Sequence, residues 1–260
     1  ETLRDTCIDA GIDYMTTPYD LSLIPALSEY VSAWKIGSGD ITWHEMIQAL
    51  SLSDKPLLIA TGASNMNEVE LAMNLILKNK SDAVLMQCNT NYTASLDNFK
   101  YIELNVLKEY RKKYPDIVLG LSDHTPGHAT VLGSIALGAR VIEKHFTDDN
   151  TRKGPDHKFS MNPKNWRDMV GRSRELEYAL GTGVKKIMDN EKDSVVVQRR
   201  ALCASHNLNK GHIIISDDLV ALRPCTSEGI EPYKISQLIG KTINCEIING
   251  ENITESMLVQ

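Results

Sequence analysis

The chain has 260 residues, of which 42% are hydrophobic and 24% are charged, and its formal net charge at pH 7 is −6. This composition is typical of a globular protein, and the acidic balance argues against non-specific binding to nucleic acid or to an anionic membrane. The sequence has no run of about 18 apolar residues, and its start lacks the basic and apolar regions of a signal peptide. The five cysteines are scattered and odd in number. We therefore expect a cytoplasmic protein with reduced thiols.

Strand-like apolar runs alternate with amphipathic helical patterns over residues 12–180. The predicted strands are Ile12–Thr16, Ala33–Ile36, Pro56–Ala60, Ala83–Cys88, Ile117–Leu121 and Val141–Phe146. Most of them are apolar on both faces, which is typical of a parallel sheet that is covered by helices. Asn65 with Glu68 predicts a capping box at one helix start, and Asn162 with Pro163 predicts another helix start.

This element order fits either a doubly wound sheet or a (β/α)₈ barrel. The sequence contains no GxGxxG fingerprint and no P-loop, which weakens a nucleotide-binding interpretation. Polar residues follow each predicted strand, and every loop after a strand faces the same mouth in a barrel. We therefore favour an α/β barrel of the TIM type. Six units are two fewer than eight, so we expect a barrel that lacks its first two βα units.

The C-terminal third has a different pattern of apolar and polar residues. The barrel is expected to occupy residues 1–182, and the polar, poorly periodic residues 183–194 predict a linker. Residues 195–260 consist of short apolar segments separated by Gly, Asn and Pro, which predicts a small β-rich domain. A domain of that size buries only a limited core, so we expect it to dock on another surface.

Two histidines follow neighbouring predicted strands near the middle of the chain. Ser122 and His124 alternate after the fifth strand, so their side chains point the same way. Glu143 and His145 do the same at the end of the sixth strand. If these strands are parallel neighbours, both histidines reach the carboxyl edge of one sheet, where α/β folds place their sites. His124 and His145 are therefore candidate ligands of a divalent metal, although each alone could equally be a hydrogen-bonded loop residue.

Four motifs stand in an order and spacing that resemble the sialic acid synthase family, the phosphoenolpyruvate-condensing synthases of nine-carbon sugar acids. They are KIGSGD at 35–40, GLSDHT at 120–125, EKHFT at 143–147 and GPDHKFSM at 154–161. The later elements RRAL, NKG, LRP and GI-P resemble the family's C-terminal antifreeze-like (SAF) domain. The resemblance covers essentially the whole chain and implies a (β/α)₈ barrel, an antifreeze-like domain and a domain-swapped homodimer.

The resemblance also implies an activity. Members of the family condense phosphoenolpyruvate with N-acetylmannosamine or a related N-acetylated aminosugar, giving N-acetylneuraminate or a relative and releasing phosphate. The two implied catalytic residues are His124 and His145, which would hold a divalent metal, Mn²⁺ by preference over Mg²⁺ or Co²⁺. Such a metal would polarise the sugar aldehyde as a Lewis acid.

Other site residues are implied position by position. The phosphoenolpyruvate contacts are Thr17, Lys35, Ser38 and Ser122, and the sugar contacts are Asp40, Tyr92, Asp156 and Arg223. Lysine and hydroxyl groups suit the substrate's phosphate, because they supply a local cation and hydrogen-bond donors. The arginine would be inserted over the active site by the partner subunit's small domain.

Three departures from the family pattern bear on these expectations. Ala60 stands where many members have a phosphate-contacting serine, so one hydrogen bond is expected to be absent or replaced by Thr61. Thr93 follows Tyr92 where the family often has a proline, and CTSEG follows Arg223-Pro224 in place of glycine. The last two departures touch the sugar side, which leaves a legionaminic or pseudaminic acid synthase open. The segment that carries the family's general-acid glutamate is not found, so we predict an N-terminally truncated enzyme and leave open whether this chain alone is active.

Two alternatives remain at this stage. A Schiff-base aldolase would use Lys35 or Lys144 as its nucleophile, although strand alternation turns Lys144 away from the expected pocket. A non-catalytic sugar-binding protein would bind its ligand without consuming phosphoenolpyruvate. The presence of both histidines, Lys35 and Asp156 argues against a pure binder.

Overall fold

The computed structural model describes residues 1–79 and 82–259. Gln260, the last residue of the predicted C-terminal domain, lies outside the described residues. The chain divides into two compact units, and the boundary follows Thr182.

Strands and helices alternate along the first unit. The strands are β1 Met15–Thr16, β2 Ala33–Ile36, β3 Leu57–Ala60, β4 Ala83–Cys88, β5 Val118–Asp123 and β6 Ala139–Lys144. The helices are α1 Thr2–Asp9, α2 Leu23–Ser28, α3 His44–Ser51, α4 Met66–Asn79, α5 Val106–Lys113, α6 Ala129–Ala136 and α7 Pro163–Leu180. The strands pair in parallel in the order β1 to β6, which confirms the predicted barrel-type α/β sheet. Within the described residues no pairing joins β6 to β1, so the sheet is an open half-barrel.

Alternating side chains of the central strands separate into two apolar layers. Every residue of β2, β3 and β4 is buried, as expected for strands with both faces covered. One layer packs with the helices and includes Trp34, Ile36, Leu57, Ile59 and Leu85 together with Met46, Ile47, Leu50, Met73 and Ile76. The other layer contains Ala33, Leu58, Ala60, Val84, Met86 and Cys88. Lys35 alternates into this second layer, which brings its ammonium group to the concave face of the sheet.

The structure corrects several predicted element boundaries. β1 has only two residues, because it is an edge strand that pairs with β2 alone. β6 begins two residues earlier than predicted, since Gly138 at φ 100° turns the chain directly into the strand. The region after β4 forms a 3₁₀ turn at Leu96–Tyr101 before α5 begins. Both predicted caps are confirmed by reciprocal Asn65–Glu68 hydrogen bonds and by the Asn162 side chain, which accepts from a backbone amide.

The second unit begins at Gly183 and has its own core. It contains α8 Lys192–Gln198, β7 Ala201–Ala204, β8 Leu219–Leu222 and α9 Ile235–Leu238. β7 and β8 are antiparallel, and isolated bridges such as Leu208–Ile247 extend the β structure. The core is formed by Leu202, Ala204, Leu208, Ile214, Ile230, Leu238, Ile243, Ile247 and Ile253. α8 overlaps the end of the predicted linker.

In the described parts of the chain we find no helix with the length and apolarity that crossing a membrane requires.

Candidate active site

A cavity of about 820 Å³ opens among the ends of β1, β2, β5 and β6. The predicted site residues that line it are Thr17, Lys35, Ser38, Tyr92, Ser122, His124 and His145. These residues lie far apart in the sequence, and the parallel strands bring them together because all their carboxyl ends meet at one edge. Tyr19, Glu143 and Trp166 also line the cavity and were not predicted as site residues.

Glu143 connects two of the predicted phosphoenolpyruvate contacts. Ser122 faces it in the β5–β6 register, and the Ser122 hydroxyl donates to Glu143 Oε1 at 2.8 Å. Lys35 Nζ lies 3.4 Å from Glu143 Oε2, and the lysine side chain is only 10% exposed. The sequence contained a signal for this role, since Glu143 alternates with His145 in the EKHFT motif. The cavity therefore holds a buried cation whose charge is balanced by one partly exposed carboxylate.

Ser38 is oriented by the loop that follows β3. Its hydroxyl oxygen accepts a hydrogen bond from the Gly62 amide at 2.9 Å, and the same side chain has a hydrogen bond with Cys88. A Cβ at Gly62 would overlap Thr90 Oγ1 and stand 2.9 Å from Ser38 Oγ, so only glycine fits without a shift. Thr61 does not replace the serine missing at Ala60, because its buried hydroxyl donates to Met86 O and accepts from Tyr110.

The two histidine rings lie next to each other at the end of the sheet, with their planes inclined at 58°. Their centroids are 5.1 Å apart. His124 is buried, and its Nδ1 lies 2.9 Å from the Asn89 carbonyl oxygen. Because a carbonyl only accepts, this contact places a His124 proton on Nδ1. His145 Nδ1 lies 3.6 Å from Asp156 Oδ2, beyond direct hydrogen-bond distance.

The pKa values of the two imidazoles shift in opposite directions. Burial alone would lower the pKa of His124, but hydrogen bonds with Cys88 and with the Asn89 backbone raise it above its ordinary value. Burial lowers the pKa of His145, and the neighbouring charge of His124 lowers it further. Among the described residues, no group of three or more His, Cys, Asp or Glu side chains is arranged to hold a metal. The histidine pair offers two ring nitrogens to the cavity.

Aromatic rings enclose the histidines. The Tyr92 ring lies 4.3 Å from the His124 ring and 5.7 Å from the His145 ring, measured between centroids. Phe159 lies edge-on to His145 at 5.0 Å. Burial raises the pKa of Tyr92, although half of this residue remains exposed at the cavity. The hydroxyl group of Tyr92 therefore stays protonated near neutral pH and is able to donate.

Three predicted sugar contacts do not line the cavity. Asp40 ends a short 3₁₀ turn after β2 and is half-buried. Asp156 is also half-buried, and only its proximity to His145 connects it to the site. Arg223 belongs to the second unit, where its Nε donates to the Gln198 carbonyl oxygen at 2.6 Å.

Reactive side chains at the carboxyl edge of a parallel half-barrel define an α/β-barrel enzyme. Sequence comparison specifies the family. The chain belongs to the NeuB family, whose sequence pattern matches residues 1–185, and the SAF domain pattern matches residues 199–259. The resemblance to sialic acid synthases is thereby confirmed.

Similar proteins are synthases of nine-carbon sugar acids. The N,N'-diacetyllegionaminic acid synthase of Legionella pneumophila is 34% identical over 96% of this chain and 70% of its own length. The enzyme of the same name from Campylobacter jejuni is 33% identical over 94% of this chain and 73% of its own length. The crystal structure of N-acetylneuraminic acid (sialic acid) synthetase from Leptospira borgpetersenii, in complex with citrate, superposes with a TM-score of 0.68. It is 28% identical and covers 75% of this chain and 67% of that chain.

Proposed function

We propose that this protein condenses phosphoenolpyruvate with an N-acetylated aminosugar to form a nine-carbon sugar acid. The observation that carries the proposal is the convergence of Lys35, Ser38 and Ser122 with His124 and His145 in one cavity. The relatives' names support the product class, and they include both sialic and legionaminic acid synthases. N-Acetylmannosamine and an N,N'-diacetylated aminosugar are the candidate acceptors.

The chemistry requires one new carbon–carbon bond. The methylene carbon of phosphoenolpyruvate attacks the sugar aldehyde, whose oxygen gains a proton. Water adds at the carbon that bears the phosphate, and inorganic phosphate then leaves. The protein must therefore bind an anion, hold the aldehyde beside the enol carbon and admit one water molecule.

Lys35 and Ser38 are assigned to the phosphoenolpyruvate anion, together with Thr17 and Ser122. The low exposure of Lys35 strengthens its attraction to phosphate or carboxylate, because the surroundings screen it less than water does. Ser38 is held by the Gly62 amide, which donates to its oxygen, and its hydroxyl group would donate to the anion in place of its contact with Cys88. Ser122 already donates to Glu143, so it contacts the substrate as a donor only after that hydrogen bond opens.

The donor set at the cavity fits a divalent metal. His124 with its proton on Nδ1 offers Nε2, and the His145 ring is close enough to share a small ligand. We propose Mn²⁺ because the family resemblance implies it, with Mg²⁺ and Co²⁺ as alternatives, since imidazole nitrogens alone do not select Mn²⁺. When bound, the ion would supply Lewis-acid polarisation of the sugar carbonyl. Tyr92 and Phe159 limit the access of water to the two rings.

The aminosugar is assigned to the aromatic side of the cavity. Tyr92 presents a protonated hydroxyl there, and Asp156 and Asp40 are proposed as acceptors for sugar hydroxyl groups. Arg223 is proposed to come from the second unit of a partner subunit in a domain-swapped homodimer. The aminosugar's identity and the homodimer are each open to direct measurement, by substrate comparison and by sedimentation.

A Schiff-base aldolase is less consistent with the lysine environments. Lys144 is 1% exposed and pairs with Asp123, so its amine does not reach the cavity. Lys35 Nζ lies 3.4 Å from Glu143 Oε2, and the proposed function uses this amine to bind the substrate's anionic groups. Borohydride trapping of a pyruvate adduct would support the aldolase in place of the synthase.

The proposed function is tested by replacing Lys35. We expect Lys35→Met to lower the affinity for phosphoenolpyruvate by about tenfold or more, because the variant loses a charge-assisted contact in a water-poor site. Isothermal titration calorimetry measures this affinity without requiring turnover. Lys100→Met is the control, since Lys100 is an exposed surface residue paired with Asp97.

A parallel assay measures phosphate release with phosphoenolpyruvate, Mn²⁺ and each candidate aminosugar. Release that requires an aminosugar supports condensation, and the preferred sugar identifies the product. Equal phosphoenolpyruvate binding by the parent and Lys35→Met would contradict the assignment of this lysine. Aminosugar binding without any phosphoenolpyruvate binding would support the non-catalytic alternative.

A further inference from the structure

A buried ion pair immediately precedes the two histidines on their strands. Asp123 and Lys144 are partners in the β5–β6 register, and the side chain of each is 1% exposed. Lys144 Nζ donates to Asp123 Oδ2 at 2.5 Å and to the Thr125 carbonyl oxygen at 2.6 Å. Lys144 borders the cavity, but strand alternation turns its side chain and that of Asp123 away from the cavity, and both are buried, so the pair takes no part in the proposed chemistry.

The Asp123 carboxylate is fully engaged. Its Oδ1 accepts from the Thr125 amide at 3.1 Å and from the Thr125 hydroxyl at 2.9 Å. Its Oδ2 accepts from Lys144 and also from the Thr130 hydroxyl at 2.7 Å. Since Thr130 lies in the first turn of α6, one carboxylate joins the end of β5, the start of α6 and the end of β6.

The position of this pair in the sheet relates it to the histidines. The ladder of paired residues between β5 and β6 ends at Asp123 and Lys144. His124 and His145 each follow one residue later, so they lie just past the last paired position. Among the contacts that join β5 to β6, the Asp123–Lys144 pair is therefore next to both histidines in sequence.

We infer that the Asp123–Lys144 pair is a positioning device that sets the separation of His124 and His145. The inference rests on the proposed function in one respect, because the separation of the two rings is assumed to serve metal binding. A buried charge pair suits this role because its low-dielectric surroundings make the interaction strong and its geometry restrictive. Neither residue touches the ion or the substrate, and both act through the neighbouring histidines.

The experiment compares Lys144→Met with Val131→Ala. Methionine keeps the approximate volume of lysine but cannot pair with Asp123. Val131 is 1% exposed in α6, packs with Ile135, Met161 and Met169, and lies outside the hydrogen-bond network, so its truncation lowers stability without touching the pair. Asp123→Asn and Thr130→Val are milder variants that retain the volume, in case Lys144→Met does not fold.

Two readouts separate positioning from stability. Mn²⁺ affinity, measured by calorimetry at a temperature where all variants are folded, is expected to fall about tenfold or more in Lys144→Met and less than twofold in Val131→Ala. Crystal structures of the parent and variants give the distance between the His124 and His145 rings. We expect that distance to change in Lys144→Met and Asp123→Asn and to remain at the parent value in Val131→Ala.

The outcomes distinguish this inference from the proposed function. A folded Lys144→Met or Asp123→Asn variant with parental ring separation would overturn the positioning role. Equal loss of Mn²⁺ affinity in Val131→Ala and Lys144→Met would overturn it too, because stability alone would then explain the loss. If the parent binds no Mn²⁺, the proposed metal site fails, and the ring separation alone decides whether the pair positions the histidines.

Discussion

Glu143 accepts from Ser122 and pairs with Lys35, so its carboxylate occupies two donors that the proposed function assigns to phosphoenolpyruvate. The bound anion and this carboxylate have the same charge and compete for the same groups. A like charge near a binding site weakens anion binding, and the partial exposure of Glu143 reduces the effect through solvent screening.

We therefore expect Glu143→Gln to tighten phosphoenolpyruvate binding by about threefold to tenfold, since glutamine keeps the shape and removes the charge. Titration calorimetry of the parent and variant measures the change. Glu109→Gln is the matched control, because Glu109 pairs with Lys112 on the exposed surface of α5. Weaker binding in Glu143→Gln would mean that the carboxylate orients Lys35 and Ser122 for the substrate instead of competing with it.

Gly62 is required by close approach rather than by its backbone conformation. An added methyl group would meet Thr90 and Ser38, which lie on two different loops of the site. We expect Gly62→Ala to lower the free energy of unfolding by about 1–3 kcal/mol through overpacking, and to weaken phosphoenolpyruvate binding by displacing Ser38. Urea denaturation and calorimetry measure the two effects.

Gly171→Ala provides the comparison for this substitution. Gly171 is exposed in the middle of α7, and an added Cβ there meets nothing within 4 Å. The same chemical change should raise stability by about 0.4–1 kcal/mol, because alanine loses less conformational entropy in a helix. If the two alanine variants were equally stable, close packing around Gly62 would not be the reason for its glycine.

At the scale of elements, hydrophobic patterning predicted the order and direction of the six strands. It did not predict where β6 begins. Ala139 pairs with Leu119 and Val141 with Gly120, so Arg140 is an extra residue in a β-bulge. A bulge shifts the alternation of side chains between the two faces of the sheet by one residue, and the apolar pattern of the sequence does not reveal it. The shared orientation of Glu143 and His145 was still predictable, because both lie beyond the bulge.

The candidate site was predictable only in part, for a similar reason. Alternation and motif order indicated the histidines, Lys35 and the serines, and the structure brings these residues to one cavity. Contacts between different strands carry no local signal. The Lys35–Glu143 pair and the Gly62–Ser38 hydrogen bond join positions that are distant in sequence, and only the packed sheet brings them together.

At the scale of the whole molecule, the two units have separate cores and different spectroscopic reporters. The three tryptophans, Trp34, Trp43 and Trp166, all lie in the first unit. Tryptophan fluorescence therefore follows the unfolding of that unit alone. In the second unit, the isoleucines of the core provide methyl signals for nuclear magnetic resonance.

Asp218 makes the second unit sensitive to acid. Its side chain is 4% exposed and lies 2.7 Å from His212 Nε2 and 3.5 Å from His206 Nε2. Burial alone would raise the pKa of Asp218, but the Ile215 amide and then His212 lower it below the ordinary carboxyl value. Because the folded-state pKa is lowered, ionised Asp218 stabilises the unit above the unfolded-state pKa of about 3.9. This stabilisation is lost as the pH falls through the lower, folded-state pKa.

We expect Asp218→Asn to lower the stability of the second unit at neutral pH by about 1–3 kcal/mol, since the backbone and His212 lose a charged acceptor. Below about pH 4 the difference between parent and variant should shrink, because the parent's carboxyl group is then becoming protonated. Methyl resonances of the second unit measure its urea midpoint as a function of pH, while tryptophan fluorescence monitors the first unit as an internal control.

Asp217→Asn tests the specificity, since Asp217 is an exposed neighbour in the same 3₁₀ turn. A pH-independent difference between the parent and Asp218→Asn would show that the hydrogen-bond geometry stabilises the unit and the carboxylate charge does not.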